Sequence, residues 1–179
     1  MKYTFLIVVL FSAFALNAQI YKQTKSEISF FSEAPLENIE AKNTDAKSVI
    51  RTTDSTIIVL ITNLAFKFEK PLMEEHFNEN YMESETYKYS TFKGKIIKGM
   101  DFSKDGTYEV EVSGILDIHG VKKERTFKGT MIKKGDVITF ESNFDVHVED
   151  HKIKVPSMYV QNIAEDVNVK VWVETKLVE

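Results

Sequence analysis

Along most of the chain apolar residues alternate with polar ones at a period of two, the pattern of a strand with one buried face. The clearest stretch follows the Asp105-Gly106 turn signal, where Tyr108, Val110, Val112, Leu116 and Ile118 share a face opposite Glu109, Glu111, Ser113 and Asp117. His119-Gly120 ends it. Arg125 to Lys133 follows with Phe127 and Met131 on one face, and Gly135-Asp136 predicts the next reversal. Val137 to Val148 then places Ile138, Phe140, Phe144, Val146 and Val148 together, and Val167, Val169, Val171 and Val173 alternate with polar or aromatic neighbours near the C-terminus. Upstream, Ser26 to Ser32, Ala46 to Thr52, Ser55 to Asn63 and Tyr87 to Ile97 read as strands, the third apolar on both faces.

One stretch breaks this rhythm. In residues 66–81, FKFEKPLMEEHFNENY, Met73, His76, Phe77, Asn80 and Tyr81 recur at helical spacing, and Pro71 suits a first helical turn because its fixed φ is already helical. The pattern therefore predicts an all-β fold of about eight antiparallel strands with one short helical insertion near residues 71–82. Eight such strands close into a barrel without exposed edges, with a two-sheet sandwich as the alternative. The helix must lay its apolar stripe over a face or an open end.

Three glycines bear on that choice. Gly94, Gly114 and Gly129 fall inside consecutive strands and share parity with the apolar residues beside them, as in Phe92-x-Gly94-x-Ile96. Each leaves a gap in an apolar face. Backbone bending or close packing accounts for such gaps, and so does room for a ligand inside the barrel, which at eight strands is just wide enough to hold one.

The chain has 179 residues and is 43% hydrophobic, enough for one core, so a single domain is expected. Met1 to Ala18 reads as a secretory signal peptide, with Lys2 ahead of the apolar run Phe5 to Phe11 and small residues at Ala13, Ala15 and Ala18. Cleavage after Ala18 is preferred to cleavage after Ala15, which leaves residues 19–179 as the barrel domain in a periplasmic or secreted setting, with no stable membrane span once the signal is removed. With no cysteine in the chain, disulfides, thiol nucleophiles and thiolate zinc sites are excluded. Basic residues are interleaved with a larger number of acidic ones, for a formal charge of −4, so nucleic acid is not an expected partner.

Several segments in order resemble the YceI-like family: Phe66-x-Phe68, Leu72-Met73-x-x-His76-Phe77-Asn78-Glu79-x-Tyr81-Met82-Glu83-Ser84, Tyr87, Phe92-x-Gly94 and Gly114-x-Leu116-x-Ile118-His119-Gly120-Val121, with Phe144-x-Val146 and Asp150-x-x-Ile153 fitting its closing strands. The resemblance implies a secreted, lipocalin-like barrel that binds a polyisoprenoid or another long-chain amphiphile in its interior. The chain departs from the family's pattern at Lys88-Tyr89, where Tyr-Pro is frequent, and at residues 153–166 ahead of the last strand.

No nucleophile elbow, phosphate-binding glycine loop or dinucleotide fingerprint occurs. Glu75-His76 lacks the second histidine of a helical zinc motif, and His147 and His151 lie where a strand gives way to a turn, so neither a metal nor a cofactor is expected. His119 is explained by capping a turn. His76, on the helix's apolar stripe, is either a core histidine or a polar contact for a ligand head group. Candidate ligand-binding residues are Phe66, Phe68, Met73, His76, Phe77, Tyr81, Phe92, Gly94, Val112, Gly114, Leu116, Ile118, Phe127, Gly129, Met131 and Phe144. The expected function is non-catalytic binding of a long-chain isoprenoid or other lipid. A filled barrel acting as a protein-interaction module is the main alternative, and an enzyme using His76 with Tyr81 or Glu75 a third. The oligomeric state stays open, a homodimer included.

Overall fold

A computed structural model describes residues 19–33, 37–154 and 164–178. The leader reading of residues 1–18 and most of the 155–164 loop lie outside the described residues. Ten strands run through the rest: β1 (Ile20–Ser32), β2 (Ile39–Asn43), β3 (Lys47–Arg51), β4 (Thr56–Thr62), β5 (Lys67–Phe68), β6 (Tyr89–Lys98), β7 (Gly106–Ile118), β8 (Val121–Lys134), β9 (Val137–His147) and β10 (Asp166–Val178). Neighbours are antiparallel throughout, and β10 pairs back onto β1 from Ile20↔Val178 to Phe31↔Asn168. That closure settles the choice between barrel and sandwich. The ring is β1-β3-β4-β6-β7-β8-β9-β10, eight strands, with β2 and β5 outside it: β2 continues along the edge of β1, and β5 adds to β2.

The predicted strands recur with shifted ends, and two differences have local causes. β1 begins six residues earlier than the alternation suggests, because a bulge between Gln23 and Lys25 switches which parity faces inward. Tyr21 before the bulge and Ile28 after it are both buried. β4, apolar on both faces, buries Ile57 and Val59 but leaves Ile58 40% exposed, so its second face is solvent and not a second core.

The barrel interior is filled unevenly. At the end formed by the start of β1 and the end of β8, Tyr21, Ile50, Val110, Met131 and Ile138 are almost wholly buried. Met100 and Phe102, from the β6–β7 connection, pack against them. Asp105 secures that connection, its carboxylate accepting hydrogen bonds from the Gly135 amide (3.0 Å) and Lys133 Nζ (3.1 Å), and these donors hold its pKa below the ordinary value. This end is closed by side chains.

Gly94 and Gly114 pair directly across β6 and β7. A Cβ built on Gly114 would sit 2.3 Å from the Gly94 Cα and 2.4 Å from the Lys93 carbonyl oxygen, and one on Gly94 would meet the Phe92 ring at 2.6 Å. On β8, a Cβ at Gly129 would meet the Phe140 ring at 2.7 Å and the Glu141 carbonyl oxygen at 2.4 Å. The space these residues leave is thus taken up by neighbouring backbone and by two phenylalanine rings lying over the glycines. Since backbone cannot yield as a side-chain tip can, Gly114→Ala should lower stability by about 1–3 kcal/mol in urea unfolding. An unchanged midpoint would mean that the strands separate at no cost.

Candidate functional site

At the other end the interior is hollow. A cavity of about 560 Å³ lies between the lower layer of Ile57, Phe92, Val112 and Phe140 and a covering helix, and its walls are overwhelmingly apolar. Phe66, Phe68, Met73, His76, Phe77, Tyr81, Phe92, Val112, Leu116, Ile118, Phe127 and Phe144 all line it. Gly94, Gly114, Gly129 and Met131 do not. The glycines are covered as described, and Met131 belongs to the filled end, paired between Tyr108 and Phe140. Inward residues of strands for which no site had been expected complete the wall, among them Ile28 and Phe30 on β1, Val59 and Ile61 on β4, and Val169 and Val171 on β10. The same parity rule that found the other walls reaches these.

The cover is one α-helical turn, α1 (Pro71–His76), which widens into a π-helical turn over Phe77–Tyr81. The predicted helix is therefore present but not uniform: the Met82 amide donates to the Phe77 carbonyl oxygen five residues back (2.8 Å), bringing Met82 inward, where it is buried. The Phe77 ring sits among Phe30, Phe66 and Phe68 at centroid distances of 5.4, 5.5 and 5.1 Å. Aromatic pairs of this kind are each worth roughly 0.5–1.5 kcal/mol beyond burial. The Glu74 carboxylate accepts from Lys67 Nζ (2.5 Å) and the Phe68 amide (3.3 Å), and these partners, Lys67 first, hold its pKa down. Exposed ion pairs contribute only about 0–1 kcal/mol, so the rings are the stronger tie between helix and barrel.

Four polar side chains on the cavity wall, Asn63, Ser90, Ser32 and Ser142, are already engaged. Asn63, fully buried, donates from Nδ2 to the Tyr87 carbonyl (2.6 Å) and accepts at Oδ1 from the Ser90 hydroxyl (2.8 Å). Ser32 Oγ accepts the Ala164 amide (2.9 Å), and the Ser142 hydroxyl donates to the Lys128 carbonyl (2.7 Å). The deep interior thus leaves little with which to recognise a polar ligand. Charge collects at the helix end, where Glu37 pairs with Lys70 and His76 lines the opening, half-buried.

The wall also has a seam. Backbone pairing between β8 and β9 runs only from Lys134↔Val137 to Gly129↔Ser142, so the hollow half of the barrel lacks a ladder there. Side chains bridge the gap: Phe127 and Phe144 meet at 4.0 Å, Arg125 donates to the Asp145 carbonyl (2.8 Å), and His151 Nδ1 lies 3.2 Å from the Val121 carbonyl. His119, with φ +52° in the β7–β8 turn, joins the same corner, its Nε2 2.8 Å from Glu83 and its Nδ1 3.1 Å from the His151 carbonyl. Both ring nitrogens thus reach other segments, tying down the stretch after the covering helix and the His151 turn, where a cap on its own turn was expected. Among the described residues no group of three or more His, Asp or Glu converges to hold a metal ion.

A closed antiparallel barrel, solid at one end and hollow, apolar and helix-covered at the other, has the architecture of a lipocalin-like barrel. Residues 20–175 match the YceI-like domain, and the chain belongs to that family. A polyisoprenoid binding domain from Saccharophagus degradans implicated in plant cell wall breakdown is similar in structure, with a TM-score of 0.76 at 15% identity over 88% of this chain and 98% of its own. BcnA of Burkholderia cenocepacia gives 0.66 at 17% identity over 83% and 95%, and the YCEI protein of Campylobacter jejuni 0.63 at 19% over 82% and 90%. No curated protein matches the chain.

Burial pushes the His151 imidazole below its ordinary pKa of about 6.5, against the opposing pull of the Val121 and Ile118 carbonyls and Asp150. The unfolded chain then binds a proton there before the folded one does, so stability should fall as pH drops below about 6.5 through the lowered value. His147 has the opposite shift, raised by Asp166 at 3.0 Å, so its contribution grows as pH falls from neutral to below about 6.5 and offsets part of the His151 loss. In denaturant unfolding at neutral pH and at pH about 5.5, the wild type should lose more stability on acidification than His151→Asn, which keeps a donor near the Val121 carbonyl and leaves the His147 contribution in place. An unaltered pH dependence in the variant would place the effect elsewhere.

Proposed function

We propose that this protein binds a long-chain amphiphile non-catalytically, its tail inside the barrel and its head at the helix end, as an exported lipid carrier or buffer. The observation that carries the reading is the 560 Å³ cavity, walled by aromatic and aliphatic side chains and opening beside Glu37, Lys70 and His76. Burial of each methylene contributes ~0.8 kcal/mol, so a dozen carbons offer on the order of 10 kcal/mol against the cost of ordering the chain. Polar contacts then serve mainly to orient the head.

Membership of the YceI-like family and the likeness to a domain that binds polyisoprenoid support the same ligand class. The leader-like residues 1–18 support an exported, periplasmic or secreted, location, where a water-filled compartment makes a soluble container useful for a lipid. The apolar lining, in which Asn63, Ser90, Ser32 and Ser142 already spend their polar atoms on the protein, supports a binding role over turnover.

Protein purified from its own host without detergent should carry a lipid in native mass spectrometry, and the stripped protein should take up long-chain amphiphiles. Phe77→Ala removes the ring that ties the cover to Phe30, Phe66 and Phe68, so it should raise the rate of ligand loss at least several-fold. A clean apo mass with no uptake of any amphiphile would overturn the reading. So would a Phe77→Ala protein that is less stable yet releases ligand at the original rate.

A further inference from the structure

The cavity has a floor, and a floor gives it a capacity. Beneath Ile57, Phe92, Val112 and Phe140, the buried Ile50, Met131 and Ile138 fill the barrel, with Met100 and Phe102 packed against the same core. Phe92 and Phe140 are seated by the glycines: their rings occupy the places where side chains at Gly94 and Gly129 would stand. The glycines contribute to the site by fixing the height of its floor.

Two measures bracket the capacity. A methylene takes up about as much room as the ~30 Å³ share of a water molecule in the liquid, so 560 Å³ accommodates about 18 carbons. Along β9 the lining runs from Phe140 to Val146, six residues on, which is about 20 Å of strand and about 15 Å along the axis of a barrel whose strands tilt by 35–45°. An extended hydrocarbon with C–C bonds near 1.5 Å advances about 1.25 Å per carbon, so about 12 carbons reach from floor to rim.

We infer that the barrel discriminates by chain length, enclosing a single tail of roughly 12–18 carbons, fatty-acyl or short isoprenoid, with Val112 and Phe140 setting the limit. A longer polyprenyl chain leaves its remainder outside the cover. The inference rests on the amphiphile reading and narrows it: a hollow barrel with a movable floor would accept any length.

Stripped protein titrated with saturated fatty acids of about 8 to 24 carbons, and separately with prenyl alcohols of increasing length, should bind roughly four-fold tighter per added carbon until the capacity is reached, then no tighter. Val112→Phe adds four heavy atoms at the floor and should bring the break down by about two to four carbons. Val171→Phe, on β10 where the wall is half-buried and better able to absorb a ring, provides the same shift should the Val112 variant fold poorly. A break that appears in only one series identifies the tail's source. Affinity that keeps climbing past about 20 carbons, or a break that neither variant moves, overturns the length limit while leaving amphiphile binding intact. Uptake of no chain of any length overturns the amphiphile reading itself, and the limit with it.

Discussion

The pairing of β1 with β10 is the constraint on which the rest of the molecule depends. Closing the sheet removes its free edges and creates an interior that side chains must fill or leave empty. This sequence does both. Large residues from the start of β1, the end of β8 and the β6–β7 connection make one half solid, and beyond Phe92 and Phe140 the inward residues no longer meet across the axis. An open apolar hollow facing water would be unfavourable, and the short helix with its phenylalanine cluster covers it. The helix follows β5, on the side of β1 where β2 takes over from β3 as the pairing strand.

The incomplete β8–β9 ladder belongs to the same economy of packing. A full ladder would draw the two strands together and narrow the hollow half. Instead the Val121, Lys128 and Asp145 carbonyls along the seam engage His151, Ser142 and Arg125, so side chains carry the contacts where the ladder stops. Such side-chain bridges need specific residues, which gives the fully buried His151, with its lowered pKa, a structural role in the wall.

Much of this was legible in the residues. The alternation along β7, from Tyr108 to Ile118, placed its inward face correctly, and Pro71 with the 73-76-77-81 spacing located the cover. β2 was missed because its IEAKN offers only Ala41 and Asn43 as buried residues, neither a strong strand former, and β5 is two residues long. The glycine parity pointed inward as expected, but whether a gap is empty or filled depends on the rotamer of a ring two residues away or on the next strand. Nothing in Phe92-x-Gly94 specifies that the ring folds back over the glycine. For the same reason Met131, which shares parity with Phe127, lies in the solid half and not on the cavity wall: period-two patterning gives the side of the sheet and not the height along the axis.

The central claim, a barrel hollow above Phe92 and Phe140 and solid below, is tested most directly by methyl NMR of the stripped protein titrated with a fatty acid that carries a nitroxide at its tail end. The account predicts strong broadening of the Ile57, Val112 and Val171 methyls, which face the cavity, and much weaker effects on Ile132 and Ile115, which are exposed on the outer surface. Broadening concentrated on those outer residues, with the cavity methyls unaffected, would contradict it.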